Sequence, residues 1–358
     1  MPMRISYTAG HCMVLAGSRT PRTPLTRSSP IQRSRRRRSW RLTTRSRYWM
    51  NCMANDVLFL LALARSPFMS ARERILVADV LDGASELSRL SLSNLEEICG
   101  RRLGNAEWDP GRLEEAAERD RAWMAATGTK AYSYFDRGYP ALLRETARPP
   151  FILYVRGRLP DFRRPALAVV GTRYPTGRGL ETAAKIASEA AEAGVSVVSG
   201  LARGVDAAAH RGALAGGGAT FAVIGRGLDR IYPLSNKDLA ARMLISGGGL
   251  MSEYPPGTPP SRWTFPERNR IIAGLCRSTL VVEAPAGSGA LITADFALQE
   301  GRDVYVAEAC SGGSRSVGSD LLATDGARSV GSFDDIAADW GDGAFVAAQS
   351  EAYVASVR

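Results

Sequence analysis

The pattern of apolar residues divides the chain at about residue 128. Before that point, apolar side chains recur at three- and four-residue steps in four segments, 54–65, 70–81, 91–103 and 109–127. This spacing is typical of amphipathic helices. The last segment opens with Asp109, a favourable N-cap residue, and Pro110 at the first helical position. The pattern therefore predicts a small helical domain over residues 54–127.

After residue 128, short apolar runs alternate with amphipathic segments. The runs are 151–155, 167–171, 196–200, 221–225, 250–254, 279–284 and 304–309. Continuous apolar strands separated by helices are typical of a parallel sheet that is covered on both faces. Residues 129–310 are therefore predicted to form an α/β domain with a Rossmann-like, doubly wound, mainly parallel sheet. Residues 311–358, which begin with a Gly- and Ser-rich stretch, are predicted as a C-terminal extension with a last helix near 333–338.

The net charge of +10 is concentrated at one end of the chain. Residues 1–50 contain twelve Arg and no Lys, Asp or Glu, so the rest of the chain carries a charge of −2. Residues 1–50 have no helical or strand period, and we expect them to be a disordered, Arg-rich tail. Three other interpretations stay open: a basic arm that binds nucleic acid, a targeting peptide, or upstream sequence included by a mistaken start.

Several classes of protein are disfavoured by what the sequence does not contain. No stretch of 18 apolar residues exists, so no membrane span is predicted. The five cysteines are scattered without a C-x-x-C pair, which predicts no metal site, no disulfide framework and a cytoplasmic location. The P-loop pattern and the G-x-G-x-x-G pattern after the first strand are also absent, so we predict no cofactor.

Arginine and glycine follow the predicted strands at their carboxyl ends. Arg173, Arg203 and Arg226 come after three successive apolar runs, each close to a glycine, and the segment 285–293 follows a fourth run. The carboxyl ends of parallel strands form the ligand-binding edge of such sheets, where helix N-termini and guanidinium groups bind phosphate. This edge is therefore predicted to bind a phosphate-bearing ligand.

The segment 263–275 interleaves aromatic, basic and amide side chains just before a helix. Trp263 and Phe265 stand beside Arg268, Asn269 and Arg270. Aromatic faces stack on unpaired bases and guanidinium groups bind phosphates, which is the combination found in proteins that bind single-stranded nucleic acid. Core packing is an alternative explanation for the aromatic residues, but it does not explain the Arg-Asn-Arg run.

Candidate catalytic groups are few, and each has a structural alternative. Asp206 and His210 share one helix face and could form an acid–base pair, but we favour a loop-fixing carboxylate and a hydrogen-bonded core histidine. Glu283 ends an apolar strand and could serve a nucleotide hydrolase, but we favour a role in holding the Ser288–Gly289 loop. We therefore predict no catalytic residue.

Six segments of the chain, five of them long, resemble one known family. They are GTR (171–173), VVSGLARGVDAAAHRGAL (197–214), FAVIGRGLDRIYP (221–233), LMSEYPPGT (250–258), FPERNRIIAGL (265–275) and VVEAPAGSGALITADFALQEGR (281–302). In this order they resemble the DNA-processing protein A (DprA/Smf) family, over roughly residues 130–330. The resemblance implies a homodimer that binds single-stranded DNA, protects it and loads the RecA recombinase onto it during natural transformation and recombination, without enzymatic turnover.

The predicted interface combines the strand ends with the 263–275 segment. Its residues are Gly171, Thr172, Arg173, Ser199, Gly200, Arg203, Gly204, Phe265, Arg268, Asn269, Arg270, Ser288, Gly289 and Thr293. Arg173, with the backbone of Gly171 and Thr172, is predicted to hold one phosphate, and a second backbone cradle is predicted from Ser199, Gly200, Arg203 and Gly204. Arg268 and Arg270 are predicted to grip the strand, and Phe265 and Asn269 to contact bases. The groove is predicted to be closed by Ser288, Gly289 and Thr293.

Two other functions stay open at this stage. One is a nucleotide phosphoribohydrolase that resembles the lysine decarboxylase-like family, on a similar Rossmann-like domain. Such enzymes carry P-G-G-x-G-T-x-x-E near a helix start, whereas this chain has PAGSGALIT (285–293) without the Glu. The other is a protein with only a structural or interaction role, which leaves the arginines at the strand ends unexplained.

Overall fold

The computed structural model of the protein describes residues 57–104 and 107–341, so the tail predicted over residues 1–50 lies outside the described part. The four predicted helical segments all contain a helix. The N-terminal helices are α1 (Val57–Ala64), α2 (Ala71–Val80), the short α3 (Ala84–Leu87), α4 (Leu92–Cys99) and α5 (Pro110–Thr127). Asp109 caps α5 as predicted, because its side chain accepts a hydrogen bond from the N–H of Arg112.

One sheet of nine strands runs through the described part of the chain. The strands are β1 (Lys130–Ser133), β2 (Ile152–Gly157), β3 (Ala166–Val170), β4 (Ser196–Ser199), β5 (Thr220–Val223), β6 (Gly249–Ser252), β7 (Ser278–Val281), β8 (Asp303–Ala307) and β9 (Arg328–Val330). Their spatial order is β1-β2-β6-β5-β4-β3-β7-β8-β9. All seven predicted strands are present, and the apolar pattern missed the short β1 and β9.

The sheet is mainly parallel, which confirms the predicted fold class. Every neighbouring pair from β6 to β9 is parallel, while β2 is antiparallel to β6 and β1 is antiparallel to β2. The chain leaves β3 for β4, β5 and β6 on one side and then crosses over to β7, β8 and β9 on the other side. The point between β3 and β7 is therefore the topological switch point, where open α/β sheets form their ligand-binding crevice.

Helices cover both faces of the sheet. They are α6 (Ala141–Arg144), α7 (Gly177–Glu192), α8 (Val205–Ala215), α9 (Lys237–Ile245), α10 (Thr264–Leu275), α11 (Gly289–Gln299), α12 (Val317–Thr324) and α13 (Phe333–Trp340). Buried side chains of α10 and α11 pack on one face in a single apolar cluster. Those of α7, α8 and α13 pack on the other face in a second cluster. Among the helices in the described ranges, none has the length and apolar character needed to span a membrane.

The N-terminal helices share an apolar core with one edge of the sheet. Leu61 of α1 belongs to the same buried cluster as Tyr154 of β2 and Leu250 of β6. At the other edge, β9 pairs with β8, so the predicted boundary at residue 310 falls between two strands of one sheet. The limits 54–127, 129–310 and 311–358 stay predictions of domain organisation.

Candidate nucleic-acid interface

A cleft of about 620 Å³ lies at the switch point, at the carboxyl ends of β3 and β7. Residues 171–174, which follow β3, form one wall, and residues 285–290, which lead into α11, form the opposite wall. The third wall is one side of α10. The sequence predicted a ligand site at this edge, and we call this space the first cleft.

Most of the predicted interface residues meet at this edge. Eight of the fourteen line the first cleft: Gly171, Thr172, Arg173, Phe265, Asn269, Ser288, Gly289 and Thr293. A neighbouring space of about 410 Å³, here called the second cleft, is also lined by Arg173 and Phe265 and brings in Gly200 and Arg203. The remaining four, Ser199, Gly204, Arg268 and Arg270, line neither cleft.

Arg173 stands where the two clefts join. Its side chain is exposed, and its guanidinium lies over the ring of Phe265, with 5.5 Å between Cζ and the ring centroid. The ring of Phe265 in turn lies 5.6 Å from that of Tyr232, at a tilt of 40°. A planar cation placed over an aromatic face keeps its N–H edge free for a phosphate. The geometry therefore suits Arg173 as a phosphate ligand.

Glu283 holds the loop that carries Arg173. Its carbonyl oxygen accepts the N–H of Thr172 at 2.7 Å, and its carboxylate accepts the N–H of Thr176, the N-cap residue of α7, at 2.9 Å. The hydroxyl of Thr176 also donates to this carboxylate. We expected Glu283 to organise the Ser288–Gly289 loop, whereas it anchors the loop after β3, because β3 and β7 are adjacent strands and end side by side.

The loop after β4 is fixed by Asp206. This carboxylate is buried and accepts the N–H groups of Gly200 and Ala202, both at 3.2 Å. Burial raises the pKa of Asp206, and the neighbouring guanidinium of Arg268 opposes that shift. The loop-fixing role that we favoured for Asp206 agrees with these contacts.

Ser199 and Gly204 shape this loop from inside the protein. The hydroxyl of Ser199 is fully buried and donates to the carbonyl oxygen of Val169 at 2.7 Å. Gly204 has a φ of +78°, and a Cβ there would overlap the carbonyl oxygen of Thr172. Only glycine combines this backbone conformation with so close an approach. Both residues position the interface without lining it.

Arg268 is buried in the protein and does not reach the cleft. Its side chain donates to the carbonyl oxygens of Gly200, at 2.6 Å, and Val223. A Cβ on Gly200 would overlap this guanidinium, which gives that glycine a packing role. Burial lowers the pKa of Arg268 to about 10, so the group stays charged at neutral pH opposite Asp206. The structure thus gives Arg268 a supporting role in place of the predicted phosphate contact.

The side chain of Arg270 also forms its hydrogen bonds within the protein and away from the clefts. Its guanidinium donates to the carboxylate of Glu253 and, at 2.6 Å, to the carbonyl oxygen of Arg148. The side chain is about 10% exposed. A guanidinium that already holds a carboxylate and a carbonyl is not free for a phosphate. Arg270 therefore leaves the set of residues that we assign to the interface.

The geometry of α10 explains these two corrections. Successive helical residues point about 100° apart, so three neighbours cannot face one cleft. The cleft instead takes Phe265, Asn269 and Ile272, which are spaced by four and three residues on one helix face. Asn269 donates from its amide nitrogen to the carbonyl oxygen of Gly289 at 3.0 Å. This bond ties the cleft-facing side of α10 to the first turn of α11.

The wall at α11 is a helix N-terminus. Ser288 caps α11, and its hydroxyl accepts the N–H of Ala290 at 3.2 Å. Thr293 is buried, with its hydroxyl 3.5 Å from the carbonyl oxygen of Gly289. Helix N-termini attract anions through their free N–H groups and the helix dipole. Arg173 and α11 thus present positive potential from opposite walls of the cleft.

His210 belongs to the core and not to the site. It is fully buried, and its Nδ1 lies 2.7 Å from the hydroxyl of Thr220, which confirms the hydrogen-bonded core histidine that we favoured. Burial lowers the pKa of His210 to about 3, so the ring is neutral at physiological pH. Asp206 bonds to backbone N–H groups instead of to this ring.

The structure adds cleft residues that the sequence argument missed. Arg262 and Tyr174 line the first cleft, and Tyr232 lines the second. Tyr174 is 69% exposed and Tyr232 is 46% exposed, while Arg262 lies over the exposed ring of Trp263 at 4.6 Å. Arg262 could have been found, because it directly precedes the aromatic and basic run. Arg226, the third arginine at a strand end, lines neither cleft and faces Asp229 at 4.0 Å.

The chain is similar to known proteins both in sequence and in structure. The curated protein Smf from Synechocystis sp. (strain ATCC 27184 / PCC 6803 / Kazusa) is 49% identical over 175 residues, which are 48% of this chain. The chain spans only 44% of the length of that relative. The X-ray structure of DNA processing protein A (DprA) from Streptococcus pneumoniae superimposes with a TM-score of 0.64 and 35% identity, covering 77% of this chain and 95% of that one.

A second solved structure is DNA processing protein A from Helicobacter pylori, which was solved to describe its single-stranded DNA binding mode. It matches with a TM-score of 0.52 and 26% identity, over 58% of this chain and 93% of that one. The family model described as DNA recombination-mediator protein A matches residues 130–341, from the first residue of β1 to just after α13. Because this match covers more than half of the chain, the protein belongs to the DNA recombination-mediator protein A family.

Proposed function

We propose that the protein binds single-stranded DNA along the two clefts and delivers it to the RecA recombinase, without chemical turnover. The observation that carries this proposal is the position of Arg173, an exposed cation at the junction of the two clefts and opposite the N-terminus of α11. Arg203 and Arg262 extend the positive surface to either side. A phosphate chain that lies along the clefts would meet one cation after another.

The exposed aromatic residues favour a single strand over a duplex. Tyr174 and Tyr232 line the clefts, and the ring of Trp263, which is 67% exposed, lies under the guanidinium of Arg262. Aromatic side chains stack on bases only when the bases are unpaired and unstacked from their own strand. The DprA from Helicobacter pylori, whose binding of single-stranded DNA is described, supports the same ligand for this chain.

The contacts of the carboxylates support binding without turnover. Asp206 is the one carboxylate among the described residues that line the first cleft, and backbone N–H groups occupy it. Glu283 is 2% exposed and holds Thr176. A general base must reach the proton that it abstracts. Both carboxylates already accept hydrogen bonds from N–H groups of the protein's own loops. Incubation with adenosine monophosphate should release no free adenine by chromatography, and release would favour the phosphoribohydrolase instead.

The direct test compares an unstructured oligothymidine with a duplex of the same length in a salt titration. We expect tighter binding of the single strand at every salt concentration. Arg173→Ala and Arg262→Ala should each lower affinity for the strand by about 10- to 100-fold, since a hydrogen bond to a charged group is worth about 1.5–3 kcal/mol. Each should also reduce the log–log salt slope by about 0.7, the value for one phosphate of a single strand.

Arg242→Ala is the matched control for these variants. Arg242 is an exposed arginine near the end of α9, just before β6 begins. It therefore lies near the amino ends of the parallel strands, whereas the clefts lie at their carboxyl ends. Its removal takes away the same charge but no cleft contact, and binding should change little. If Arg173→Ala, Arg262→Ala and Arg242→Ala all bind like the parent protein, the two clefts are not the DNA site.

The proposal extends to a cytoplasmic homodimer that acts with RecA. Sedimentation velocity at micromolar concentration should show a dimer, and a strictly monomeric protein would count against this part. RecA-dependent ATP hydrolysis on DNA coated with single-strand binding protein should start sooner when the protein is added. Arg173→Ala should abolish this acceleration, because RecA can be loaded only where the strand is held.

A further inference from the structure

The connection between β2 and β3 crosses the amino ends of three other strands. β2 ends at Gly157 and β3 begins at Ala166, and β6, β5 and β4 lie between them in the sheet. Neighbouring strands lie about 4.8 Å apart, so the connection covers roughly 19 Å along the edge of the sheet opposite to the clefts. We call residues 158–165 the strap.

Glycine residues let the strap lie directly on this edge. The N–H of Arg158 donates to the carbonyl oxygen of Gly248 at 3.1 Å, and the carbonyl oxygen of Arg158 would overlap a Cβ on Gly249, the first residue of β6. At the other end, the guanidinium of Arg164 donates to the carbonyl oxygen of Gly194 at 3.4 Å and would overlap a Cβ there. The strap is therefore held in place at both ends.

The strap and the neighbouring residues carry an excess of positive charge. Residues 156–165 and 242–249 contain five arginines and one acidic residue, Asp161. Arg156 is partly buried, and the other four are exposed: Arg158, Arg163, Arg164 and Arg242. Asp161 is paired with Arg163 at 2.9 Å. Because residues 51–358 carry a charge of −2 in total, this excess of four positive charges belongs to this edge and not to the chain as a whole.

An exposed aliphatic side chain adjoins these arginines. Ile245, the last residue of α9, is 85% exposed, and Arg242 is its neighbour on the helix surface three residues earlier. A Cβ on Gly157 would overlap the side chain of Leu244, so the chain enters the strap beside this last turn of α9. Phe162, which is 37% exposed, adds an aromatic ring on the strap itself. Core packing does not account for Ile245.

We infer that the strap and residues 242–245 form a docking surface for an acidic segment of another protein that also carries apolar residues. Guanidinium groups pair with carboxylates, while Ile245 and Phe162 offer apolar contact. Nucleic acid would match the charge but would leave the aliphatic side chain of Ile245 without a partner. The inference goes beyond DNA binding, because this surface lies at the amino ends of the parallel strands and the clefts lie at their carboxyl ends.

The test uses the full chain and two synthetic peptides of equal length and charge. One peptide repeats the sequence Glu-Glu-Asp-Leu, and the other repeats Glu-Glu-Asp-Ser. Fluorescence anisotropy should show tighter binding of the leucine peptide by the parent protein. The arginines of residues 1–50 attract both peptides to the same degree, since the peptides have the same charge. The difference between the two affinities therefore reports the apolar contact.

Two variants separate the apolar contact from the charged contacts. Ile245→Ala should weaken the leucine peptide by about 4- to 60-fold and leave the serine peptide unchanged, because each buried methylene is worth about a factor of four and the change removes up to about three carbons. The double variant Arg158→Ala/Arg242→Ala should weaken both peptides by about 2- to 30-fold, the range for two exposed ion pairs. Neither variant should change the affinity for oligothymidine.

The matched controls come from α2. Val80 ends this helix and is 48% exposed, and Arg72 is an exposed arginine in its first turn. Val80→Ala and Arg72→Ala remove an aliphatic group and a positive charge from another surface of the same protein. Neither control should change the affinity for either peptide.

Other outcomes overturn the inference without touching the proposed function. If the parent binds both peptides alike, or if Ile245→Ala leaves the leucine peptide unaffected, no apolar contact forms at this edge. If the double arginine variant leaves both peptides unaffected, the charges play no part, and a loss of duplex DNA binding in that variant would assign the edge to a phosphate backbone instead. The proposed function is tested separately, by the effect of Arg173→Ala on oligothymidine.

Discussion

Replacement of Arg268 by Met separates a supporting role from a DNA contact. In the parent protein, the buried guanidinium donates to two backbone carbonyl oxygens and faces Asp206. Methionine keeps much of the length of the side chain but neither the charge nor the N–H donors. The substitution therefore leaves a buried carboxylate without its cation, and two carbonyl groups without this donor.

Arg268→Met should lower the free energy of unfolding by a large amount. A hydrogen bond to a charged group is worth about 1.5–3 kcal/mol, so the loss of the two bonds to carbonyl oxygens should cost about 3–6 kcal/mol. With a urea m-value of about 3 kcal/mol/M, Arg268→Met should unfold at a urea concentration lower by about 1–2 M. Arg268→Lys keeps the charge but not the planar group that reaches both carbonyls. Its unfolding midpoint should therefore lie between those of the parent protein and Arg268→Met.

The assay is equilibrium unfolding in urea, followed by a binding titration under conditions in which each variant is folded. Arg173→Ala is the comparison, since this exposed side chain should leave the unfolding midpoint almost unchanged and affect binding instead. Arg268→Met should show the reverse pattern, with a salt slope equal to that of the parent. If Arg268→Met unfolds at the parental midpoint and has a shallower salt slope, Arg268 is a phosphate ligand and our assignment is wrong.

Three further predictions concern the tail, a histidine and a glycine. Deletion of residues 1–49 changes the net charge from +10 to −2 and should leave single-strand binding intact, with a shallower salt slope. Complete loss of binding in this variant would show that the tail is the DNA site. The buried His210 has a pKa of about 3, below its unfolded value, so the free energy of unfolding should fall by up to about 1.4 kcal/mol per unit as the pH drops from 7 to 5. His210→Asn should flatten this dependence, and an equal slope in both proteins would contradict it. Gly204→Ala should lower stability more than Gly217→Ala in urea, because both have positive φ but only at Gly204 would a Cβ overlap neighbouring atoms; equal losses would exclude the steric argument.

The strands were predictable because a sheet covered on both faces leaves a continuous apolar run in the sequence. The strands from β2 to β8 all show that signal. The strand β1 was missed because it lies at the edge of the sheet and three of its four residues are only partly buried or exposed. The strand β9 was missed because it has only three residues, of which only Val330 is buried. Edge strands bury too little surface to impose an apolar pattern.

The location of the clefts was predictable, but the direction of each side chain was not. Strand ends can be located from the sequence, and parallel strands bring their carboxyl ends to one edge, so Arg173 and Ser288 could be placed together. Tyr232 lies in the segment that follows β5, and no periodic pattern indicates which side of such a segment faces a cleft. Its ring packs against that of Phe265, more than thirty residues away in sequence, and such a contact leaves no local pattern.

The two arginines of α10 show that a motif can point to a cleft while its residues make other contacts than those predicted. The run Arg-Asn-Arg lies on the helix that lines the first cleft, but the helix turns its members in three directions, so Asn269 faces the cleft while Arg268 and Arg270 face away. The two arginines then act behind the site, one on the loop after β4 and the other on Glu253. We therefore propose phosphate binding by Arg173 and Arg262, which lie outside this helix. The motif is therefore a scaffold for the clefts as much as a part of their surface, and substitutions within it should separate into effects on folding and effects on binding.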